Sequence, residues 1–151
     1  MPWKMILFLF ICALSAREVN AQNSPEGIID TFFIELQSSG TEAALDYLYS
    51  HNPWMSQTGD AVKNLKTQMV SLEDVSYIGD YFGHDLIVEK ALSPAFRLYA
   101  FLVRYDRQPI RFTFQFYKPN DVWRVYAFKY DGELDAELVE AAKLEILTRE
   151  E

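Results

Sequence analysis

Two stretches decide how this chain folds: Phe96–Tyr105, FRLYAFLVRY, and Ile110–Tyr117, IRFTFQFY. In the second, Ile110, Phe112, Phe114 and Phe116 alternate with Arg111, Thr113 and Gln115, the period of two that lines one face of a strand. In the first, nearly every position is apolar, as in a strand covered on both faces. Arg107-Gln108 between them and Lys118-Pro119-Asn120-Asp121 after them supply turns. With Val122–Tyr130 as a third long strand, the expected result is an antiparallel meander. Turns centred at those positions set Val103 opposite Phe112, Phe101 opposite Phe114, Phe116 opposite Trp123 and Phe114 opposite Val125. One face then carries Tyr99, Phe101, Val103, Phe112, Phe114, Phe116, Trp123 and Val125, and a slip of one residue would turn them all to water.

The other face mixes Leu98, Ala100, Leu102, Phe128 and Tyr130 with Arg104, Arg111, Gln115 and Arg124. In this register Arg104 opposes Arg111, a pairing that needs an acid or anion between the two. A mixed apolar and arginine surface suits a protein interface. Equally, the acidic C-terminal helix expected from Glu133 to about Leu147, with Asp135, Glu137 and Glu140, would cover it within the same chain.

Upstream of the strands the period becomes helical. Ser24-Pro25-Glu26 offers a capping hydroxyl, a proline at the first helical position and an acid at the positive end of the dipole. Ile28, Ile29, Phe32, Phe33 and Leu36 follow as one stripe, and Ser38-Ser39-Gly40 stops the helix. Thr41 is expected to cap a second helix with an Ala44, Leu45 and Leu48 face, ended before Pro53. A third begins near Asp60 with Val62, Leu65, Met69 and Leu72 on one side. From Asp74 the pattern reads as strand: Tyr77–Phe82, a break at Gly83-His84, then Asp85–Leu92.

Ahead of all this lies an export leader. Lys4 precedes ten apolar residues, Met5–Leu14, and Val19-Asn20-Ala21 places small side chains before Gln22. The apolar run is well short of the ~20 residues that span a bilayer, so no stable membrane anchor is expected, and residues 1–21 read as a cleaved secretory signal. Removing 21 of the 151 residues leaves 130, enough for a single domain, 22–151, in the periplasm or outside the cell. The charge moves from −8 to −9, because two basic residues leave with one acidic residue. Such a surface argues against nucleic acid, whose phosphates need clustered Lys and Arg. Cys12, the one cysteine, departs with the leader, so the core must stabilise the domain without a disulfide.

SPEGIIDTFFIEL (Ser24–Leu36), the later helices and the meander FRLYAFLVRY, IRFTFQFY and VWRVYAFKY together resemble the nuclear-transport-factor-two-like, or cystatin-like, superfamily over about Ser24–Tyr130, as an exported bacterial-type member. The resemblance implies an α+β fold in which N-terminal helices pack on a curved antiparallel sheet, forming a cone, and it implies dimers made through the sheet. The C-terminal helix departs from the commonest pattern, which ends in the sheet. The superfamily includes ketosteroid isomerase and scytalone dehydratase beside domains with no known chemistry, so the fold alone does not assign a function.

The candidate residues support binding better than catalysis. Tyr81, Tyr99, Phe101, Phe114 and Trp123 are the expected lining of a site for a small apolar ligand. An isomerase or dehydratase acting on a hydrophobic substrate is the alternative. It needs a carboxylate base beside a tyrosine donor, which Asp46 or Asp80 would supply only by pointing inward. His84-Asp85 would act together only if Gly83 turned them to one side, and a histidine beside a glycine reads more simply as a solvated turn residue. His51 suits a helix-end contact. Two histidines in unrelated settings, with scattered acids, define no metal site, and no catalytic residue or cofactor is assigned. The expected role is an exported, non-catalytic domain binding a small apolar molecule or an envelope partner protein, and forming a homodimer through the outer face of its sheet.

Overall fold

The computed structural model describes residues 22–55, 59–72 and 77–148; the leader at 1–21 lies outside them. Three helices come first: α1 Pro25–Ser39, α2 Thr41–Ser50 and α3 Asp60–Leu72. Four strands follow, β1 Tyr81–Ser93, β2 Phe96–Tyr105, β3 Pro109–Tyr117 and β4 Arg124–Asp131, and then α4, Leu134–Thr148. The strands form an open antiparallel sheet in the order β1-β2-β3-β4, so the fold is α+β with helices before the sheet and one after it.

Helix α1 starts as its sequence dictates. The Ser24 hydroxyl accepts the Gly27 N–H at 3.1 Å, Pro25 follows, and Gly40 ends the helix at φ 89° with its N–H on the Glu35 carbonyl. The expected stripe from Ile28 to Leu36 is buried. At α2 the expectation fails: Gly40 occupies the cap position with no side-chain bond, and Thr41 is already the first helical residue, itself buried. Having stopped α1 in an extended left-handed conformation, Gly40 leaves no turn of chain in which Thr41 could serve as cap.

The core forms where α1 meets the inner sheet face. Phe32 packs edge-on against Phe112 and Phe114, and Phe128 sits 5.0 Å from Phe114 and 5.4 Å from Phe112. Phe112, Phe114, Phe116, Val103 and Val125 are buried, with Phe101 and Trp123 half-buried beside them. The inner face thus has the residues its alternation predicts.

Registers differ from those the turns suggested. Val103 pairs with Ile110 and Phe101 with Phe112, a shift of two residues that keeps every side chain on its face. The turn is held short because Asp106 and Arg107 donate their N–H groups to the Asp80 and Ile78 carbonyls. That anchoring also replaces the strand expected at 77–80, since Tyr77 and Ile78 form a turn ahead of β1. Strand β1 then runs without a break through Gly83 and His84, carrying irregularities between Tyr81 and Gly83, Leu86 and Val88, and Ala91 and Ser93.

Between β3 and β4 the first pair is Tyr117 with Arg124, and a bulge at Tyr126 then sets Gln115 opposite Ala127 and Phe114 opposite Phe128. Trp123 is kept out of the ladder, with Arg97 5.2 Å and Lys118 5.1 Å from its ring centre. At the bulge, the Asn52 amide donates to the Val125 carbonyl at 2.7 Å. The bulge corrects the expected outer face: Phe128 turns inward to the core, and Tyr130 packs against it. The two-residue shift between β2 and β3 removes the Arg104–Arg111 conflict, because Arg111 now opposes Leu102 and Arg104 opposes Pro109.

Candidate functional site

One end of the sheet builds a groove against α1. Asp30, Phe33, Ile34 and Gln37 come from the helix, at the spacing of one helical face; Tyr81 and His84 come from β1. The groove holds about 350 Å³ and opens to solvent. Its floor is a stack, with the His84 ring parallel to Phe33 at 3.5 Å and Phe101 meeting both rings edge-on. The Tyr81 hydroxyl is hydrogen-bonded to His84 Nδ1 at 2.7 Å.

His84 is therefore not a solvated turn residue. Leu86 and His84 face inward, whereas Asp85 lies on the other face and pairs with Arg104 at 3.0 Å, so the two neighbours share no site. Gly83, at φ 123°, lets the Arg104 guanidinium approach to 2.8 Å from where a Cβ would stand.

Burial on Phe33 pushes the His84 pKa below its ordinary value, against the opposite pull of Asp30 and Asp85. The unfolded chain therefore binds a proton at His84 more readily than the folded one. The stability contributed by keeping the ring neutral is complete above the unfolded pKa of about 6.5 and is lost as the pH falls through the lower, folded value. We expect the melting temperature of the wild type to drop across that window more steeply than that of His84→Phe; parallel curves would contradict the assignment.

The opposite end of the inner face is polar and tightly paired. The Tyr99 hydroxyl donates to Glu26 at 2.6 Å, and Arg97 approaches Glu26 at 3.5 Å and Glu89 at 3.7 Å. Burial and the adjacent Glu26 push the Tyr99 hydroxyl far above its usual range. Burial alone would raise Glu26, but hydrogen bonds from Tyr99 and the start of α1 prevail and hold it below the usual carboxylate range.

The five residues expected to line one cavity are thus divided between two ends. Tyr81 and Phe101 surround His84, and Phe114 lies fully buried behind Phe33. Tyr99 and Trp123 are joined instead through Arg97. The groove residues of α1 had one signal in the sequence. Ile34 stands apart from the buried stripe, on the same helical face as Asp30 and Gln37, and it is 62% exposed.

Of the carboxylates considered as a base, Asp46 is bound by Lys66 and Asp80 is exposed, whereas Asp30, which the pattern did not single out, reaches the groove. His51 makes the helix-end contact expected of it, donating from Nδ1 to the Tyr47 carbonyl at 3.0 Å. Among the described residues no three His, Cys, Asp or Glu side chains gather into a metal-binding set, and no helix is long and apolar enough to cross a membrane.

The outer sheet face is the second candidate. Val88, Leu98, Ala100 and Leu102 lie along β1 and β2, and Phe96 stacks edge-on with Tyr126 at 5.2 Å. Val88 is 43% exposed and Tyr126 58%. A shallow apolar depression of about 190 Å³ lies between Leu92, Phe96, Leu98 and Gln115, with Lys90 at its margin. The acidic helix does not close this face: α4 meets the sheet at Arg111, which bridges Asp131 and Glu137, while Leu138, Val139 and Leu144 stay exposed. No family model matches the chain, and neither a curated protein nor a solved structure matches it.

Proposed function

We propose that this chain is exported by its leader to the periplasm or the medium and works there as a non-catalytic domain that docks a protein partner on the outer face of its sheet. The observation that carries this reading is the exposed Val88 and Leu92 of β1 and Tyr126 of β4, flanking half-buried Phe96, Leu98 and Leu102 of β2, on a domain whose other sheet face is filled by aromatic packing. Surface of this kind costs free energy in water and favours association. A second copy is the simplest partner, because it brings the same patch. The order of helices before sheet supports membership of the nuclear-transport-factor-two-like superfamily. In sedimentation velocity, the chain from Gln22 onward should dimerise at micromolar concentrations, and Val88→Lys should weaken the dimer at least tenfold while leaving the circular-dichroism spectrum of the fold unchanged. The face reading fails if Val88→Lys associates as the wild type does. N-terminal sequencing of the exported protein should begin at Gln22.

The groove supports a second reading, a site for a small ligand with an apolar body and one hydrogen-bonding group. The Tyr81–His84 pair above the Phe33 floor favours it, and Asp30 beside them supplies the carboxylate that an isomerase would need. Titration with 2-naphthol should move the His84 ring signals in nuclear magnetic resonance spectra; signals unmoved at millimolar probe would rule against this site.

A further inference from the structure

We infer that α4 of one copy lies across the outer sheet face of a second copy, reciprocally, with its acids against that face's cations; this rests on the outer face being a docking surface. The helix, as it stands, lacks the surroundings its sequence requires. Leu134, Leu138, Val139, Ala142 and Leu144 distribute apolar side chains around the axis rather than along one stripe, a composition found in helices covered by protein. Yet Leu138 is 72% exposed and Leu144 63%. A helix of 15 residues has little stability without packing. Its tie to its own sheet comes early, at Glu137 on Arg111, and Leu138, Val139 and Leu144 beyond that tie remain uncovered.

Size and charge identify what covers it. At 1.5 Å per residue the helix is about 22 Å long, and four strands spaced ~4.8 Å apart make a sheet about 14 Å across, so one such helix can cross the whole face. From Glu133 to Glu145 the segment has five acids and a single cation, Lys143, which bonds Glu140. The outer face presents Lys90 and Lys129, which have no ion-pair partner among the described residues, together with Arg104. A two-fold dimer offers each apolar, acidic helix an apolar, basic sheet and satisfies both surfaces in both copies.

The mature chain has no cysteine, so introduced thiols report one contact each. In the chain from Gln22 onward, Lys90→Cys and Leu144→Cys forms, mixed and treated with a short bismaleimide, should give a hetero-cross-link between copies. Leu138→Lys, at an exposed site that leaves the fold intact by circular dichroism, should raise the dimer dissociation constant at least tenfold. If Val88→Lys weakens the dimer while Leu138→Lys does not and no cross-link forms, the α4 assignment is overturned and the docking face survives. If every form, wild type included, sediments as a monomer at 100 µM, both fall.

Discussion

Phe114→Ala is expected to lower the unfolding free energy by about 3–5 kcal/mol, the range for removing a buried phenylalanine ring. Phe114 has no solvent exposure, and four aromatic neighbours hold it: Phe32 at 5.1 Å, Phe33 at 5.9 Å, Phe101 at 6.0 Å and Phe128 at 5.0 Å. Those rings come from α1, β2 and β4, so none can move into the space without opening another contact. The alanine would also forfeit the edge-to-face attraction to Phe32, Phe33 and Phe101, of the order of 0.5–1.5 kcal/mol per pair beyond area. Domains of this size have roughly 5–15 kcal/mol in total, and no disulfide is available to hold this one together. Urea unfolding should show the midpoint fall sharply with the slope unchanged. A variant that unfolds within about 1 kcal/mol of wild type would mean that the helix does not pack on the sheet as described.

Gly79→Ala should cost about 2–3 kcal/mol, although it adds a single methyl group. Gly79 has φ +83°, a conformation strained for any residue with a Cβ, and the new Cβ would lie 2.4 Å from Asp106 Cβ. Asp106 cannot retreat freely, because its N–H is bonded to the Asp80 carbonyl at 2.9 Å and the next residue's N–H to Ile78. Relief of the clash would therefore pull the β2–β3 turn away from the chain before β1 and uncover the buried Ile78. Gly132→Ala is the matched control: its Cβ meets nothing within 4 Å, and its melting temperature should stay close to wild type. Equal losses at the two glycines would refute this account.

Much of this architecture can be read from local pattern. Ser24-Pro25 fixes the start of α1, and the alternation from Ile110 to Phe116 fixes which face of β3 is buried, because both depend on residues within a few positions of one another. Pairing depends on distant groups, and there the pattern is silent. The bulge at Tyr126 coincides with a bond from Asn52, 73 residues away in sequence, and the short β2–β3 turn is set by carbonyls at Ile78 and Asp80. Phe128 shows the consequence: period-two counting from Val122 sends it outward, but one extra residue at Tyr126 brings it against Phe32. The groove was legible only in part. Tyr81 is visible as an aromatic near a glycine, whereas its partnership with His84 exists because β1 continues through Gly83 rather than breaking there.

The irregularities of the two outermost strands also govern how this protein avoids uncontrolled growth. β1 and β4 each leave one row of backbone donors and acceptors open to further strands. β1 departs from regular pairing three times and β4 once, so an incoming extended chain would find its hydrogen-bonding rhythm interrupted at either border. Lateral addition of a further strand is frustrated at both borders. A chain that exposes this much leucine, valine and tyrosine is in this way guarded against the strand-on-strand growth that regular borders would template.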